Sequence, residues 1–491
     1  MAALLICLAG PALALDPKAV AGLAADDNDA KVAAIGALVA EGDPAAIPVL
    51  QRFVGGEVEV GGQKVEVMIN NRLRSAVADA LAALRLLAPE RDLRFAAAKE
   101  LAAGADASML PLVKRALEKE TDADIRPLLE LVASSMRMKS GDKAERLAAI
   151  RALGESTSPN SKTLLAEAAR DADEDVRLEA LKSLRAVEGR LAWGERLGLL
   201  FAGVSLGSIL LLAALGLAIT YGLMGVINMA HGELIMIGAY TTYVVQVFFR
   251  KTGFFDWYLL AAVPASFLVA AAVGMLLERS VIRWLYGRPL ETLLATWGIS
   301  LMLIQLVRTM FGAQNVQVEN PAFMSGGIQA LSNLVLPWSR VMIIVFAALV
   351  LAGMWALLTR TRLGLYVRGV TQNRAMASCV GVPTARVDTW AFGLGSGIAG
   401  LAGCALSQLG NVGPDLGQGY IVDSFLVVVF GGVGQLAGTV YAALTLGFAN
   451  KFLEAWSGAV LAKIALLVFI IIFIQRRPQG MFALKGRSVE A

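Results

Sequence analysis

The sequence predicts an all-α protein in which a charged region of helical repeats precedes a polytopic membrane bundle. Of its 491 residues, 57% are hydrophobic and only 17% are charged. Residues 16–190 carry 25 Lys and Arg against 29 Asp and Glu, whereas residues 191–491 carry 19 against 11. Because soluble chains are only about 45–50% apolar, we expect the second part to lie in a membrane.

Cysteine and histidine are too scarce for several kinds of chemistry. The chain has three cysteines and one histidine, His231, which argues against a disulfide framework, a thiolate metal site and most catalytic dyads. It also lacks the Gly-Lys-Ser/Thr of a phosphate-binding loop, so ATP hydrolysis would belong to another subunit. We therefore expect no catalytic residue, no metal, no cofactor and no nucleic-acid partner.

The first 14 residues have the composition of an export signal. They are uncharged and apolar, and they end in Ala12-Leu13-Ala14, which fits an A-x-A cleavage site. A buried first helix is the alternative, although Asp16-Pro17 indicates a break. The signal-peptide interpretation places residues 15–190 outside the cytoplasm.

Residues 15–190 show helical periodicity almost throughout. Asp124-Ile125-Arg126 and Asp175-Val176-Arg177 lie 51 residues apart and each opens an apolar-periodic helix, a pattern that resembles HEAT-type repeats. Residues 58–67 instead alternate with period two around a Gly-Gly pair, which predicts a small β-hairpin insertion. This domain is either a helical spacer or a docking surface, and the sequence does not separate the two.

Residues 191–491 form the second domain, with about 7 to 9 membrane passes. Apolar stretches of about 20 residues can each cross a bilayer. They occur at 197–220, 234–249, 257–277, 292–311, 341–358, 389–409 and 459–474. A further region, 421–433 and 436–455, is broken by glycines at 431, 432 and 434, which predicts a split or re-entrant element.

Basic residues set the expected orientation. They cluster in the loop around 279–288, in the loop 359–388 and after the last span, whereas residues 312–339 contain no Lys or Arg. Since positively charged loops stay in the cytoplasm, the C-terminus is expected inside and the N-terminal domain outside. Both arguments, from the signal peptide and from loop charge, give the same topology.

Polar residues at membrane depth are costly and therefore informative. One set punctuates the spans and could line a path for a polar solute, with ordinary interhelical hydrogen bonds as the alternative: Thr292, Thr296, Trp297, Gln305, Asp423 and Gln435. A second set is expected to form a gate or a structural network: Asn228, His231, Glu233 and Glu278. A G-x-G-x-x-G match at 395–400 lies inside a span, which favours close helix packing over dinucleotide binding.

Several of these motifs together resemble the branched-chain amino acid type of ABC importer permease. They are residues 227–233 (INMAHGE), 237–240 (IGAY), Glu278-Arg279, 362–364 (RLG), 373–375 (NRA), Gly381-Val382 and 429–434 (VFGGVG). Residues 286–298 (YGRPLETLLATWG) and the long N-terminal extension resemble the urea-importing branch of that family. The resemblance covers nearly all of residues 197–480.

The resemblance implies a heteromeric importer in a bacterial inner membrane. A periplasmic binding protein would deliver urea, a second related permease would pair with this one, and two ATPase subunits would bind in the cytoplasm. The loop 359–388 corresponds to the family's ATPase-coupling segment, and the matching residues within it are Arg362, Gly364, Asn373, Arg374, Ala375 and Gly381. A short helix is expected at 373–380, ended by Gly381 and Pro383.

Two other functions remain open from the sequence. A permease of the same class could carry branched-chain amino acids or short amides instead of urea. A protein of a different class, a membrane-anchored periplasmic scaffold, would use the N-terminal domain as its working part.

Overall fold

The computed structural model describes residues 17–482, apart from positions 26, 42–45, 61–62, 68, 103–108, 123, 141, 157, 226, 252 and 332. The signal peptide expected at 1–14 and the Gly-Gly pair at 61–62 lie outside the described residues. The chain divides into two compact units, Met1–Gly194 and Glu195–Ala491. This boundary lies within a single helix, four residues after the boundary predicted at 190–191.

The N-terminal unit consists of helices and one hairpin. Its helices are α1 (Pro17–Gly22), α2 (Asn28–Glu41), α3 (Ala46–Val54), α4 (Asn71–Arg85), α5 (Arg91–Ala102), α6 (Leu110–Lys119), α7 (Ile125–Met138), α8 (Lys143–Glu155), α9 (Pro159–Ala168) and the start of α10 (Glu174–Met224). Strands β1 (Glu57–Val60) and β2 (Gln63–Glu66) pair antiparallel, with Val58 opposite Val65. The hairpin insertion predicted from the alternating pattern is therefore confirmed.

Helix α4 illustrates how the sequence forms these helices. Leu73, Val77 and Ala80 recur at helical spacing and are fully buried, so one face of the helix packs into the core. At the start of α4, the Asn70 carboxamide oxygen accepts a 2.9 Å hydrogen bond from the Leu73 amide, which satisfies one of the free N–H groups of the first turn.

Two sets of ion pairs, about 50 residues apart, fasten neighbouring helices of the N-terminal unit. Arg91 binds Asp122 and Asp124, and Arg94 binds Glu120; in the later set Lys143 binds Asp173 and Asp175, and Arg146 binds Asp171. The hydrogen bond from Arg94 holds the pKa of the Glu120 carboxyl below its ordinary value, and Lys143 does the same to the pKa of Asp173. The segments Asp124-Ile125-Arg126 and Asp175-Val176-Arg177 noted in the sequence thus contribute Asp124 and Asp175 at corresponding positions of the two sets.

The second unit contains the rest of α10 and ten further helices among its described residues. They are α11 (His231–Arg250), α12 (Tyr258–Ser280), α13 (Pro289–Phe311), α14 (Trp338–Arg360), α15 (Arg362–Gln372), α16 (Arg374–Cys379), α17 (Thr384–Ser407), α18 (Leu416–Gly431), α19 (Leu436–Ser457) and α20 (Ala459–Arg476). In the part of the chain that the structure describes, seven helices are long and apolar enough to cross a membrane. They coincide with the seven spans predicted from the sequence. The split region is also present, as the 16-residue α18 followed by α19.

Helix α17 lies at the centre of the bundle and packs against α10, α11 and α12. Its residues 395–400, which match G-x-G-x-x-G, are buried against the neighbouring helices. A Cβ on Gly238 of α11 would overlap the backbone of Gly400, and a Cβ on Gly400 would overlap the Ser266 carbonyl of α12. Helices that approach this closely need glycine at the contact, which is the packing role expected of the motif.

Residues 312–337 cover the end of the bundle where α12 begins. A hairpin of β3 (Gly327–Leu331) and β4 (Leu334–Pro337) was not predicted from the sequence. Glu319 anchors the segment: its carbonyl oxygen accepts a 2.8 Å hydrogen bond from the Tyr258 hydroxyl, and its carboxylate lies 2.6 Å from Arg250. Val316 and Val412 form an isolated antiparallel bridge. At the opposite end of α12, Glu278 contacts Thr389 of α17, close to the end of the predicted coupling segment.

Candidate solute pathway and coupling site

The turn before α11 and the first residue of that helix bury two polar side chains of the predicted gate network. His231 is fully buried, and its Nε2 donates a 2.9 Å hydrogen bond to the Ala213 carbonyl of α10. The ring fits because residue 216 is glycine: a Cβ there would lie 2.9 Å from Cε1 of His231. The Asn228 side-chain oxygen accepts a 3.0 Å hydrogen bond from the Ala230 amide, which shapes the turn.

Glu233, two residues into α11, points its carboxylate at α13. Its Oε1 accepts a 2.8 Å hydrogen bond from the Ser300 hydroxyl, and the residue is only 1% exposed. Among the described residues, Oε2 of Glu233, Nδ1 of His231 and Nδ2 of Asn228 have no hydrogen-bond partner. Because buried polar atoms are nearly always paired, this region has unused capacity for water or for a polar solute.

The two threonines of the predicted solute path bond to the backbone. Thr292 donates to the carbonyl oxygens of Arg288 and Leu285, at 2.8 and 3.0 Å. The Thr296 hydroxyl lies 2.8 Å from the Thr292 carbonyl and accepts a 3.1 Å hydrogen bond from the Met229 amide. Thr296 therefore ties α13 to the turn that carries Asn228.

The structure does not bring the other predicted pathway residues to these threonines. Trp297 is 53% exposed and Gln305 is also exposed, so both lie on the outer face of α13. Asp423 of α18 pairs with Lys463 of α20 at 3.1 Å. Gln435 is half-buried at the start of α19. These side chains lie at separate places in the unit, and they form no common polar lining among the described residues.

A cavity of about 180 Å³ lies between α10, α18 and the turn before α11. Apart from Asn228, its lining is largely hydrophobic: Leu217, Tyr221, Ile227, Met229, Ile421, Val422 and Phe425. The rings of Tyr221 and Phe425 lie 6.0 Å apart beside it. Sequence reasoning missed these residues because single hydrophobic side chains in an apolar span carry no distinguishing pattern.

A buried carboxylate joins three elements at the C-terminal end of α12. Glu278 is 1% exposed, and both of its oxygens are used: Oε1 accepts a 2.8 Å hydrogen bond from the Tyr286 hydroxyl and Oε2 accepts one of 2.7 Å from Thr389. Burial, and secondly the Glu278 carboxylate, raise the pKa of Tyr286 above its ordinary value. The phenol therefore stays protonated and acts as the donor.

The predicted ATPase-coupling segment, residues 359–388, contains helices α15 and α16. Asn373 caps α16 by accepting a 2.9 Å hydrogen bond from the Met376 amide, and Gly381 follows with φ +89°. Both features match the short helix predicted there. Gly364 is buried where a Cβ would overlap the Leu358 carbonyl, which explains the glycine at that position.

Side chains of the coupling segment point in two directions. Arg362, Ala375, Met376 and Val380 are exposed. Arg374 is also exposed, with 45% of its side chain accessible, but its guanidinium forms an ion pair with the buried Asp388 of α17 and lies 5.1 Å from the centre of the Tyr286 ring. The exposed face is available to a partner, and the inward face connects to the membrane helices.

Comparison with known proteins assigns the family. The model of the branched-chain amino acid transport system permease component matches residues 199–475. The high-affinity branched-chain amino acid permease protein BraD of Pseudomonas aeruginosa is 28% identical over 287 residues, which are 57% of this chain and 93% of BraD. LivH of Escherichia coli K12 is likewise 28% identical, over 57% of this chain and 94% of LivH. The ribose import permease RbsC of Escherichia coli K12 is 30% identical over 40% of this chain and 61% of RbsC.

No solved structure matches the chain at a significant level. The family match covers more than half of the sequence and includes every helix from α11 to α19. It also contains the buried polar turn, the cavity and the coupling segment described above. The chain therefore belongs to the permease component family of branched-chain amino acid transport systems.

Proposed function

We propose that this chain is a permease subunit of an ATP-driven importer of urea. The observation that carries the proposal is the N-terminal unit, by which the chain departs from its relatives. Matches over 57% of this chain already account for 93–94% of BraD and LivH, so the N-terminal unit is additional to those proteins. An N-terminal extension and the segment 286–298 are the features that resemble the urea-importing branch.

The buried polar groups are compatible with a neutral solute. Asn228 contributes an uncharged amide to the cavity, and its Nδ2 amino group has no hydrogen-bond partner among the described residues. Of the buried carboxylates, Glu233 accepts one hydrogen bond from Ser300 and keeps Oε2 without a partner among the described residues, and Asp388 pairs with Arg374. Urea needs hydrogen-bond donors and acceptors but no counter-ion, whereas a zwitterion carries two charges that are costly to bury unpaired.

The proposed assembly follows the family pattern. A periplasmic solute-binding protein delivers the solute, a second homologous permease completes the pathway, and two cytoplasmic ATPase subunits supply the energy. The exposed face of α16 is the proposed ATPase contact. The bilayer that houses the complex is the bacterial inner membrane.

Uptake by the reconstituted complex tests the solute. The permease pair, the ATPase and the binding protein encoded with them are placed in proteoliposomes with ATP, or with ADP as the control. We expect ATP-dependent accumulation of [14C]urea and none of [14C]leucine. Accumulation of leucine in place of urea would overturn the urea assignment and leave the family assignment intact.

Import of branched-chain amino acids is the second candidate. The cavity beside Asn228 is lined mainly by hydrophobic side chains, which suit an aliphatic group. The names of BraD and LivH also describe branched-chain amino acid transport. The same uptake experiment decides between the two candidates.

We further propose that the N-terminal unit is periplasmic and the coupling segment cytoplasmic. Asn160, exposed in α9, is replaced by cysteine in a chain whose Cys7 and Cys379 are changed to serine. This cysteine should react with an impermeant maleimide in intact spheroplasts. In the matched control, Cys379 is the retained cysteine; it is exposed in α16 and should react only after lysis. The reverse pattern would refute the topology.

A further inference from the structure

A continuous set of side-chain contacts runs from α16 into the membrane helices. It begins at Arg374, the first residue of α16, whose guanidinium pairs with Asp388 near the start of α17. Asp388 is fully buried, so its charge depends on this partner. Movement of α16 away from α17 would leave a buried carboxylate without its cation.

Tyr286 is the point at which these contacts divide. One face of its ring lies under Arg374, at 5.1 Å from guanidinium carbon to ring centre, a distance typical of a cation–π contact. Its hydroxyl donates to Glu278 of α12 at 2.8 Å and lies 3.2 Å from the sulfur of Met224, the last residue of α10. A single side chain thus contacts α16 and the ends of two spans.

Glu278 extends the set to the central helix. Its second oxygen accepts a 2.7 Å hydrogen bond from Thr389, the residue after Asp388 in α17. With both oxygens occupied and the residue 1% exposed, the carboxylate has little freedom to move separately from Tyr286 and Thr389. Hydrogen bonds to a buried charged group are among the stronger ones in proteins.

We propose that Tyr286 is a positioning residue that transmits displacement of α16, through Glu278 and Thr389, to spans α12 and α17. The inference rests on the proposed ATP-driven import, because it assigns the route by which ATPase movement reaches the solute path. Tyr286 contacts neither solute nor nucleotide in this scheme. Loss of its hydroxyl should leave ATP hydrolysis and transport both detectable, but less solute should be imported for each ATP hydrolysed.

Removal of one hydroxyl tests the proposal. Tyr286→Phe is compared with wild type in the reconstituted complex, and Tyr441→Phe is the matched control because its side chain is 59% exposed and stacks on Phe482. We expect urea imported per ATP hydrolysed to fall roughly tenfold in Tyr286→Phe, with ATPase binding unchanged. Tyr441→Phe should behave as wild type. A coupling ratio within twofold of wild type in Tyr286→Phe would overturn the proposal.

A second pair of variants distinguishes loss of coupling from misfolding. Thr389→Ser keeps the donor to Glu278 and should retain the wild-type ratio, whereas Thr389→Val should lower it. The double variant Tyr286→Phe/Thr389→Val should lose much less than the product of the two single losses, since both act through Glu278. Independent, multiplicative losses would contradict a shared route, as would loss of coupling in Thr389→Ser.

Failure of the urea assignment can be distinguished from failure of the Tyr286 inference. Stimulation of ATP hydrolysis by the solute-binding protein is measured alongside urea uptake. If the wild-type complex is stimulated but accumulates no urea, the urea assignment fails. The Tyr286 inference is then judged on that stimulation, which should fall roughly tenfold in Tyr286→Phe and stay unchanged in Tyr441→Phe.

Discussion

Ser300 of α13 donates a 2.8 Å hydrogen bond to Glu233 of α11, and this bond joins two spans through a carboxylate that is almost wholly buried. Glu233 was identified from the sequence as part of a gate or structural network, and Ser300 belongs to the polar stripe of α13, but the sequence did not indicate that the two residues pair. The pair gives the first prediction.

Ser300→Ala removes the donor and leaves a buried acceptor unpaired, which costs about 1–3 kcal/mol. We expect a lower unfolding midpoint for the detergent-solubilised permease, measured by thermal denaturation. Thr309→Ala on the same helix is the control, since Thr309 is exposed and its hydroxyl donates to the Gln305 carbonyl one turn earlier. Equal midpoints for Ser300→Ala and wild type would show that the bond adds nothing to stability.

Thr296→Val should slow solute uptake by roughly 5- to 150-fold, because the Met229 amide loses its acceptor and the turn that carries Asn228 is released from α13. Membrane abundance should not change. Thr296→Ser keeps the hydroxyl and should restore uptake to near the wild-type rate. Normal uptake in Thr296→Val would assign the residue to helix packing alone.

The exposed apolar side chains of α16 and of Val380, the residue that follows it, form the proposed ATPase contact. Met376 and Val380 are 62% and 73% exposed, and a carboxylate at either position would have to be desolvated on docking. Met376→Glu/Val380→Glu should reduce co-purification of the ATPase by about tenfold or more. Leu178→Glu, at a similarly exposed position in the N-terminal unit, should leave it unchanged. Arg374 is unsuitable for this test because it also holds Asp388.

The N-terminal unit should lose stability in acid. Arg94 lowers the pKa of Glu120 in the folded state relative to its ordinary value of 4.5, so the ion pair stabilises the fold fully above that value and is lost as pH falls through the lowered folded-state pKa. Limited proteolysis of the full chain between pH 7 and pH 3 should show this loss. Glu120→Gln should flatten the pH dependence, and an unchanged profile in that variant would contradict the assignment.

The lengths of the apolar runs and the residue types in the loops made much of the fold predictable. The seven spans, the hairpin at 57–66 and the short helix before Gly381 follow from local patterns: apolar runs, period-two alternation and a capping Asn followed by a glycine. The β3–β4 hairpin escaped prediction because its strands lack a clear alternation and its residues were assigned to a loop.

The candidate site was less predictable, for a physical reason. A polar residue in a span is visible in the sequence, but its partner is not. Thr292 and Thr296 resembled a solute-facing stripe, yet their hydroxyls bond to carbonyl oxygens of their own helix. Tyr286 belongs to the motif at 286–298. Its partners Glu278 and Arg374 lie 8 and 88 positions away in the sequence, respectively. Long-range partners of this kind follow only from tertiary packing.

The glycine contacts of α17 determine which helices are free to move. Where the backbone of Gly238 meets that of Gly400, the two helices touch without side chains between them, so neither can rotate or slide without a collision of main-chain atoms. We therefore expect α11, α12 and α17 to travel as a single rigid block during the transport cycle. The start of α18 meets this block in the same way, where Gly417 lies against Gly232 of α11. Changes in access to the cavity are therefore expected further along α18, where Ile421 and Phe425 supply the opposite wall.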